Sequence, residues 1–231
     1  MNSLSSERVF KTLNTLHRDA EAADLHFIAK VMAEIAESGE TIEQTAARWM
    51  IAERGDYRTT YRGHADHFLA VSPAYGRFLY SIARSAKAKR IVEFGTSMGV
   101  STIYLAAALR DNGGGQLIGS ELESSKVARA RANIEAAGLA DLVDIRQGDA
   151  LETLAETGSD IDLLLIDGAW SLYLPVLKLL EARLTAGAAV LGENAFDPEY
   201  LEYVRNPANG YVSHPLPIDE GRGNEFSVRT A

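Results

Sequence analysis

Apolar residues recur at helical spacing through the first part of the chain: Val9, Leu13 and Leu16, then Leu25, Ile28, Val31, Met32 and Ile35. This spacing predicts a long helix from about Ser5 to Glu37, ended by Ser38-Gly39. Thr41-Ile42-Glu43-Gln44 has the form of a capping box, in which hydroxyl and amide satisfy the first free N–H groups. It opens a second helix to about Glu53, with Trp49 and Met50 inward. Arg54 to Gly63 has no clean period and holds Gly55, Asp56 and Gly63, so it reads as a loop. Ser72-Pro73 supplies a cap and a first-turn proline for a helix to about Ala86 that buries Phe78, Leu79 and Ile82.

From Arg90 the pattern changes to strand-helix alternation. Strands are expected at Arg90–Phe94, Gln116–Ser120, Val143–Gln147, Ile161–Ile166 and Ala188–Gly192. Helices are expected at Val100–Leu109, Ser125–Ala137, Leu151–Glu156, Leu172–Arg183 and Pro198–Val204. Turn signals at Asn112-Gly113-Gly114-Gly115, Gly138 and Gly187 agree with these boundaries. Asp162-Leu163-Leu164-Leu165-Ile166 is apolar on both faces, as a central parallel strand requires. Tyr211 to Pro215 and Glu225 to Arg229 alternate like two strands at the end of a sheet. The class that follows is doubly wound α/β.

At 231 residues the chain can bury a substantial core as one large domain, or as one domain with an added helical segment. A formal charge of -9 argues against a nucleic-acid surface, which needs clustered Lys and Arg. No cysteine is present, so disulfide and thiol chemistry are excluded. No signal peptide and no apolar run of membrane-spanning length is visible, and a soluble, cytoplasmic protein is expected.

The stretch Ile91-Val92-Glu93-Phe94-Gly95-Thr96-Ser97-Met98-Gly99-Val100-Ser101 reads as strand, tight turn and helix. Gly95 and Gly99 permit unusual backbone angles and let a ligand approach the main chain. The helix start that follows offers unpaired N–H groups. Ligands of such sheets bind beyond the carboxyl ends of the strands. Acidic residues fall at successive strand ends: Glu93, Glu121, Asp149, Asp167 and Glu193. Each alone could be a helix cap or a solvated turn residue, but the set points to a site. A carboxylate at Glu121 can accept both hydroxyls of a ribose. The turn lacks the dense G-x-G-x-x-G pattern that suits a pyrophosphate. A nucleoside sulfonium, which carries no phosphate, fits it better.

Glu93-Phe94-Gly95-Thr96-Ser97-Met98-Gly99 with Ser101, Glu121, Gly148-Asp149-Ala150 and Asp167-Gly168 resemble the S-adenosylmethionine-binding motifs of class I methyltransferases. More narrowly, the chain resembles the catechol and caffeoyl-CoA type O-methyltransferases over roughly residues 60–229, through Pro73-Ala74-Tyr75-Gly76-Arg77 and through Asp167-Gly168-Ala169-Trp170 to Tyr173-Leu174-Pro175-Val176. The resemblance implies a Rossmann-like methyltransferase fold. It has a seven-stranded, mostly parallel sheet with an antiparallel last strand, helices on both faces, and extra N-terminal helices. Residues 1–70 would form a helical cap or dimerisation segment, and residues 71–231 the cofactor-binding domain. Glu93, Gly95, Thr96 and Ser101 would surround the methionine part, Glu121 the ribose, and Leu122 the adenine face. Asp149 and Ala150 would line the adenine edge, and Val71 would pack on the cofactor. The implied activity is methyl transfer to a hydroxyl of a small, aromatic, catechol-like acceptor by a homodimer, with Asp167 catalytic.

The family commonly holds Mg²⁺ or another divalent cation with an Asp and an Asp-Asn pair, which match Asp167 and Glu193-Asn194 here. Two departures bear on that. Glu193 is one methylene longer than Asp, and Trp170 stands where the family often has a Lys base. Trp170 reads either as an apolar wall for the acceptor or as packing. Two competing readings remain at this level: an NAD-dependent oxidoreductase, and a catalytically altered S-adenosylmethionine-binding protein. His64 and His67 are candidates for a metal or base near the entrance, and Asp197 for the rim, although surface histidines and a helix start explain them better. His214 reads as structural, and Tyr57 to Tyr61 with Arg58 and Arg62 as an exposed loop or a lid.

Overall fold

The computed structural model describes residues 2–219 and 222–230. Three helices come first: α1 (Glu7–Ser38), α2 (Ile42–Gly55) and α3 (Tyr57–Arg62). Then α4 (Pro73–Ser85) leads into β1 (Arg90–Phe94), α5 (Val100–Asp111), β2 (Gln116–Glu121), α6 (Ser124–Ala137) and β3 (Val143–Gln147). The second half runs α7 (Ala150–Thr153), β4 (Ile161–Ile166), α8 (Tyr173–Leu180), β5 (Leu184–Gly192), α9 (Pro198–Arg205), β6 (Tyr211–Pro215) and β7 (Glu225–Arg229).

The local signals act as expected at most boundaries. Gly39 closes α1 in the left-handed conformation (φ 70°) and returns its N–H to Ile35 O. Thr41 and Gln44 form the reciprocal capping box of α2. The Ser72 hydroxyl accepts the Tyr75 N–H at 3.0 Å, with Pro73 in the first turn of α4. Phe78, Ile82 and Trp49 are half-buried, while Leu79 and Met50 are buried.

The seven strands form one sheet in the order β3-β2-β1-β4-β5-β7-β6. The first five are parallel, and β7 runs antiparallel to both of its neighbours. Because β4 lies between β1 and β5 with a covered face on each side, its all-apolar sequence is what the position demands. One face packs Ile91, Leu163 and Leu165 against α4, α5 and α6, joined by Val9, Leu13, Leu16 and Ala20 of α1. The other packs Val92, Phe94, Leu164 and Ile166 against α8 and α9. The strand order reverses between β1 and β4, and a crevice opens beyond the carboxyl ends at such a point. Phe94 pairs with Ser120 and Ile166, and Ile166 with Gly192, so the residues after β1, β2, β4 and β5 emerge along one edge.

Four expectations need correction. Residues 57–62 are helical, because the Asp56 carboxylate accepts the Thr59 N–H at 3.0 Å and caps a turn that distant contacts then hold. β5 begins at Leu184, whose pairing with Ile161 is followed by a register shift around Gly187 (φ 87°). α7 ends at Thr153, and the segment before β5 is α8 flanked by 3₁₀ turns at Trp170–Leu172 and Glu181–Arg183. Among the described residues, no helix is long and apolar enough to cross a membrane.

Candidate active site

The turn after β1 is built by main-chain bonds. Gly95 N and Thr96 N both donate to Ser120 O at 3.1 Å. Gly95 has φ 93°, and a Cβ there would fall 2.0 Å from Asp167 O, so only glycine lets the ends of β1 and β4 lie this close. Ser97 N–H donates to Glu121 Oε2 at 2.7 Å, and Glu123 N–H donates to Glu121 Oε1 at 2.9 Å. The Glu121 carboxylate thus sits beside the glycine turn, half-exposed.

Glu93 is placed differently from the other acids. Side chains alternate along a strand, so Glu93 shares the face of Ile91 and lies under α5. It is fully buried and accepts hydroxyls from Thr96 (3.1 Å), Ser101 (2.7 Å) and Thr102 (2.5 Å). Burial pushes its pKa up, and the three hydroxyls oppose that shift. Glu93 therefore braces the turn from behind and is not part of the cavity wall.

A cavity of about 770 Å³ lies between α1–α3 and the strand ends. Of the residues singled out from the sequence, Val71, Gly95, Thr96, Ser101, Glu121, Leu122, Asp149, Ala150, Asp167 and Asn194 border it, whereas Glu93 and Glu193 stand behind its wall. Apolar side chains supply the cap side: Phe27, Ile28, Val31, Met32, Trp49 and Trp170. Trp170 stacks nearly parallel on Trp49 (7°, centroids 6.5 Å apart) and meets Phe196 edge-on at 5.9 Å. It is both packing and wall.

Polar ties fix the cap over the cavity. Tyr57 and Arg58 donate to Asp149 Oδ2, Arg58 Nη2 at 2.6 Å, while Asp149 Oδ1 caps α7 through Leu151 N. Burial works against ionising Asp149, but the bonds from Tyr57 and Arg58 prevail and hold its pKa below the usual carboxylate range. Glu53 on α2 accepts the Ser171 N–H (2.7 Å) and hydroxyl (2.8 Å), and the Tyr61 hydroxyl donates to Gly168 O at 3.2 Å.

Asp167 and Glu193 lie together at the ends of β4 and β5. Burial raises the pKa of both, the Glu193 carboxylate raises that of Asp167 further, and the nearby Arg222 guanidinium opposes the shift in each. Arg222 Nη1 stands 3.4 Å from Glu193 Oε1, and Asn194 Nδ2 donates to Glu193 Oε2. A divalent ion held by Asp167, Glu193 and Asn194 needs oxygens free to converge on it. Here both Glu193 oxygens are engaged and a guanidinium already balances the carboxylates, so the residues as arranged do not fit such an ion. Among the described residues, no group of three His, Asp or Glu side chains converges on a metal position either.

The remaining candidates have structural surroundings. The Asp24 carboxylate accepts the Phe68 and Leu69 N–H groups (2.9 and 2.8 Å) and contacts His67, shaping the approach to Val71. His64 borders the cavity against Phe27, and burial lowers its pKa. His214 is exposed at the far edge of the sheet, and Asp197 caps α9. Sequence reasoning missed Glu53, Lys126 and Arg222. Lys126, buried on α6, borders the cavity, and Arg222 was visible only as a basic residue in an acidic stretch beginning at Asp219.

A family model described as a methyltransferase domain matches residues 92–195. A catechol O-methyltransferase of Niastella koreensis is 35% identical over 145 residues, covering 56% of this chain and 65% of the relative. Catechol O-methyltransferase B of Danio rerio is 30% identical over 172 residues, covering 67% of this chain and 64% of the relative. The chain thus spans just under two thirds of the length of both. In fold it matches the O-methyltransferase TomG from Streptomyces achromogenes in complex with SAM (TM-score 0.65, 23% identity, 76% of this chain and 91% of that one). It also matches an O-methyltransferase from Bacillus cereus in complex with SAH (TM-score 0.63, 24% identity, 70% and 83%). In sequence the chain is thus similar to a methyltransferase domain and to catechol O-methyltransferases, and its fold is that of these solved O-methyltransferases.

Proposed function

We propose that this chain transfers a methyl group from S-adenosylmethionine to a hydroxyl of a small aromatic acceptor. The observation that carries the reading is the two-sided cavity. A glycine turn with Glu121 lies on one side, and Asp167 lies beside an aromatic wall of Trp49, Trp170 and Phe196 on the other. The residues fit the cofactor: the Gly95 turn borders the cavity, and beside it Glu121 is the acidic acceptor a ribose requires. In this reading Gly95, Thr96 and Ser101 lie along the methionine part, and Val71 packs on it. Leu122 and Ala150 flank the adenine, with Asp149 at its edge.

Bound S-adenosylmethionine supplies a methyl carbon made electrophilic by the sulfonium. Asp167 takes the proton of the acceptor hydroxyl. The acceptor oxygen would then take the methyl group, with the carbon–sulfur electron pair passing to sulfur. Asp167 suits this role because it borders the cavity at the end of β4, where burial and the Glu193 carboxylate raise its affinity for a proton. The ties from Tyr57, Arg58 and Glu53 hold the cap in place, which excludes water and aligns the reactants.

The reading extends to a cytoplasmic homodimer that acts on small molecules and not on nucleic acid. The net charge of -9 and the exposed apolar residues Phe10 and Leu25 of α1 and Ile51 of α2 support it. Calorimetry with S-adenosylhomocysteine against NAD tests the cofactor, and labelled methyl transfer across a panel of catechols and phenols tests the reaction. Binding of NAD in place of S-adenosylhomocysteine, or tight cofactor binding without transfer to any acceptor, overturns it.

A further inference from the structure

We infer that the guanidinium of Arg222 is the cation of this site, occupying the electrostatic place of a divalent metal and holding the acceptor oxygen directly. The inference rests on the methyl-transfer reading for the acceptor's identity, but its charge argument stands on geometry alone. Arg222 borders the cavity, 3.4 Å from Glu193 Oε1 and near enough to Asp167 for its charge to act there. Its side chain is 37% exposed, whereas Glu193 is 3% exposed, so one end of the fork meets the buried carboxylate and the rest faces the cavity.

The segment carrying Arg222 is tied to the strand end by main-chain and buried groups. Ala195 N–H donates to Gly223 O at 2.9 Å, and Asn194 N–H to the Asn224 side-chain oxygen at 3.1 Å. Asn224 is 1% exposed, and its amide donates onward to Ile218 O at 3.0 Å. Arg222 N–H donates to Asp219 O at 3.0 Å, and the Asp219 carboxylate accepts the Ser72 hydroxyl at the start of α4. The backbone that carries Arg222 is thereby held between β5 and α4.

The chemistry differs from that of a metal in one decisive way. An octahedral ion is best satisfied by two vicinal oxygens, whereas a guanidinium paired through Nη1 with Glu193 keeps N–H donors that a single phenolate oxygen can engage. The acceptor class is therefore an aromatic with a single ionisable hydroxyl, and a second, adjacent hydroxyl is not required. Asp167 receives the proton, and the Arg222 charge stabilises the oxygen that is left to attack carbon.

Two measurements on the full chain decide the matter. The first is Mn²⁺ titration followed by electron paramagnetic resonance, with S-adenosylhomocysteine present. No saturable site is expected in the wild type, and a saturable site that Asp167→Asn abolishes overturns the inference. The second is transfer to a matched catechol and monohydroxy phenol in the presence of EDTA. Both acceptors should react at similar rates, unaffected by EDTA. Arg222→Met should lower transfer on the order of a hundredfold and move the pH–rate profile to higher pH, with Arg222→Lys restoring part of the loss. S-adenosylhomocysteine affinity should stay unchanged in both variants, which separates a missing charge from a damaged fold. EDTA sensitivity, a strict need for vicinal hydroxyls, or an unshifted pH profile in Arg222→Met overturns the inference. If no acceptor is methylated, the methyl-transfer reading fails and the Mn²⁺ titration still judges the role of Arg222.

Discussion

Glu121→Ala separates two roles that the geometry assigns to one carboxylate. Glu121 receives the Ser97 N–H at 2.7 Å and the Glu123 N–H at 2.9 Å, so it shapes the glycine turn before any ligand arrives. It is half-exposed, and water can replace part of each bond. At ~0.5–1.5 kcal/mol net per hydrogen bond, loss of both should cost about 1–2 kcal/mol of folding stability. Removal of the charged acceptor for a ribose should cost a further ~1–3 kcal/mol of cofactor affinity, because hydrogen bonds to charged groups are the stronger class. That corresponds to a rise in Kd of roughly 5- to 150-fold for S-adenosylhomocysteine. Urea unfolding measures the first effect and calorimetric titration the second. Glu121→Gln keeps one acceptor oxygen and should fall between wild type and alanine in both. A loss of stability with unchanged Kd refutes the ribose assignment and leaves Glu121 as a turn brace only.

Three further outcomes follow from the same contacts. Gly95→Ala forces a Cβ to 2.0 Å from Asp167 O at φ 93°; the backbone strain should cost about 1–3 kcal/mol and displace Asp167, so calorimetric melting and methyl transfer should both fall. The pKa of Glu93 is raised by burial, so the native state holds its proton to higher pH than the unfolded chain does. Its contribution is greatest below the unfolded value near ~4.3 and is lost as pH rises through the folded value, so Glu93→Gln should show a flatter fall in urea stability across that window; parallel pH curves would contradict this. Arg58→Ala removes a half-exposed ion pair to Asp149, worth only ~0–1 kcal/mol globally, but amide exchange should quicken in α2 and α3; unchanged exchange would mean that Asp149 does not anchor the cap.

The sheet was legible because its signals are local. β1, β3, β4, β6 and β7 have the bounds that hydrophobic period and turn residues implied, and the caps at Thr41 and Ser72 act through neighbours three residues away. What escaped depends on contacts far apart in sequence. α3 is a six-residue helix of mostly polar residues, held by Tyr57 and Arg58 on Asp149 and by Tyr61 on Gly168, roughly a hundred positions downstream. No period in Arg54–Gly63 can announce it. The register shift in β5 likewise follows from how Leu184 meets Ile161 across the sheet, not from the order of its own side chains.

The acidic rim shows the same division at the level of chemistry. Five strand-end carboxylates looked alike in the sequence, and the fold gives each a different partner. Glu93 is satisfied by hydroxyls, Glu121 by the N–H groups of the turn, Asp149 by Tyr57 and Arg58, and Glu193 by Asn194 and Arg222. Glu93 could have been sorted in advance: it is the one acid of the five with a strand residue still to follow it, and Ser101-Thr102 lies on the helix that covers its face. Asp149 and Glu193 could not, because their cationic partners come from the cap and from the segment between β6 and β7. Asp167 borders the cavity with Glu193 as its neighbour and no cation directly against it. Burial and the Glu193 carboxylate raise the affinity of Asp167 for a proton, against the opposing charge of Arg222, and the proposed role of proton acceptor draws on that difference from the other four.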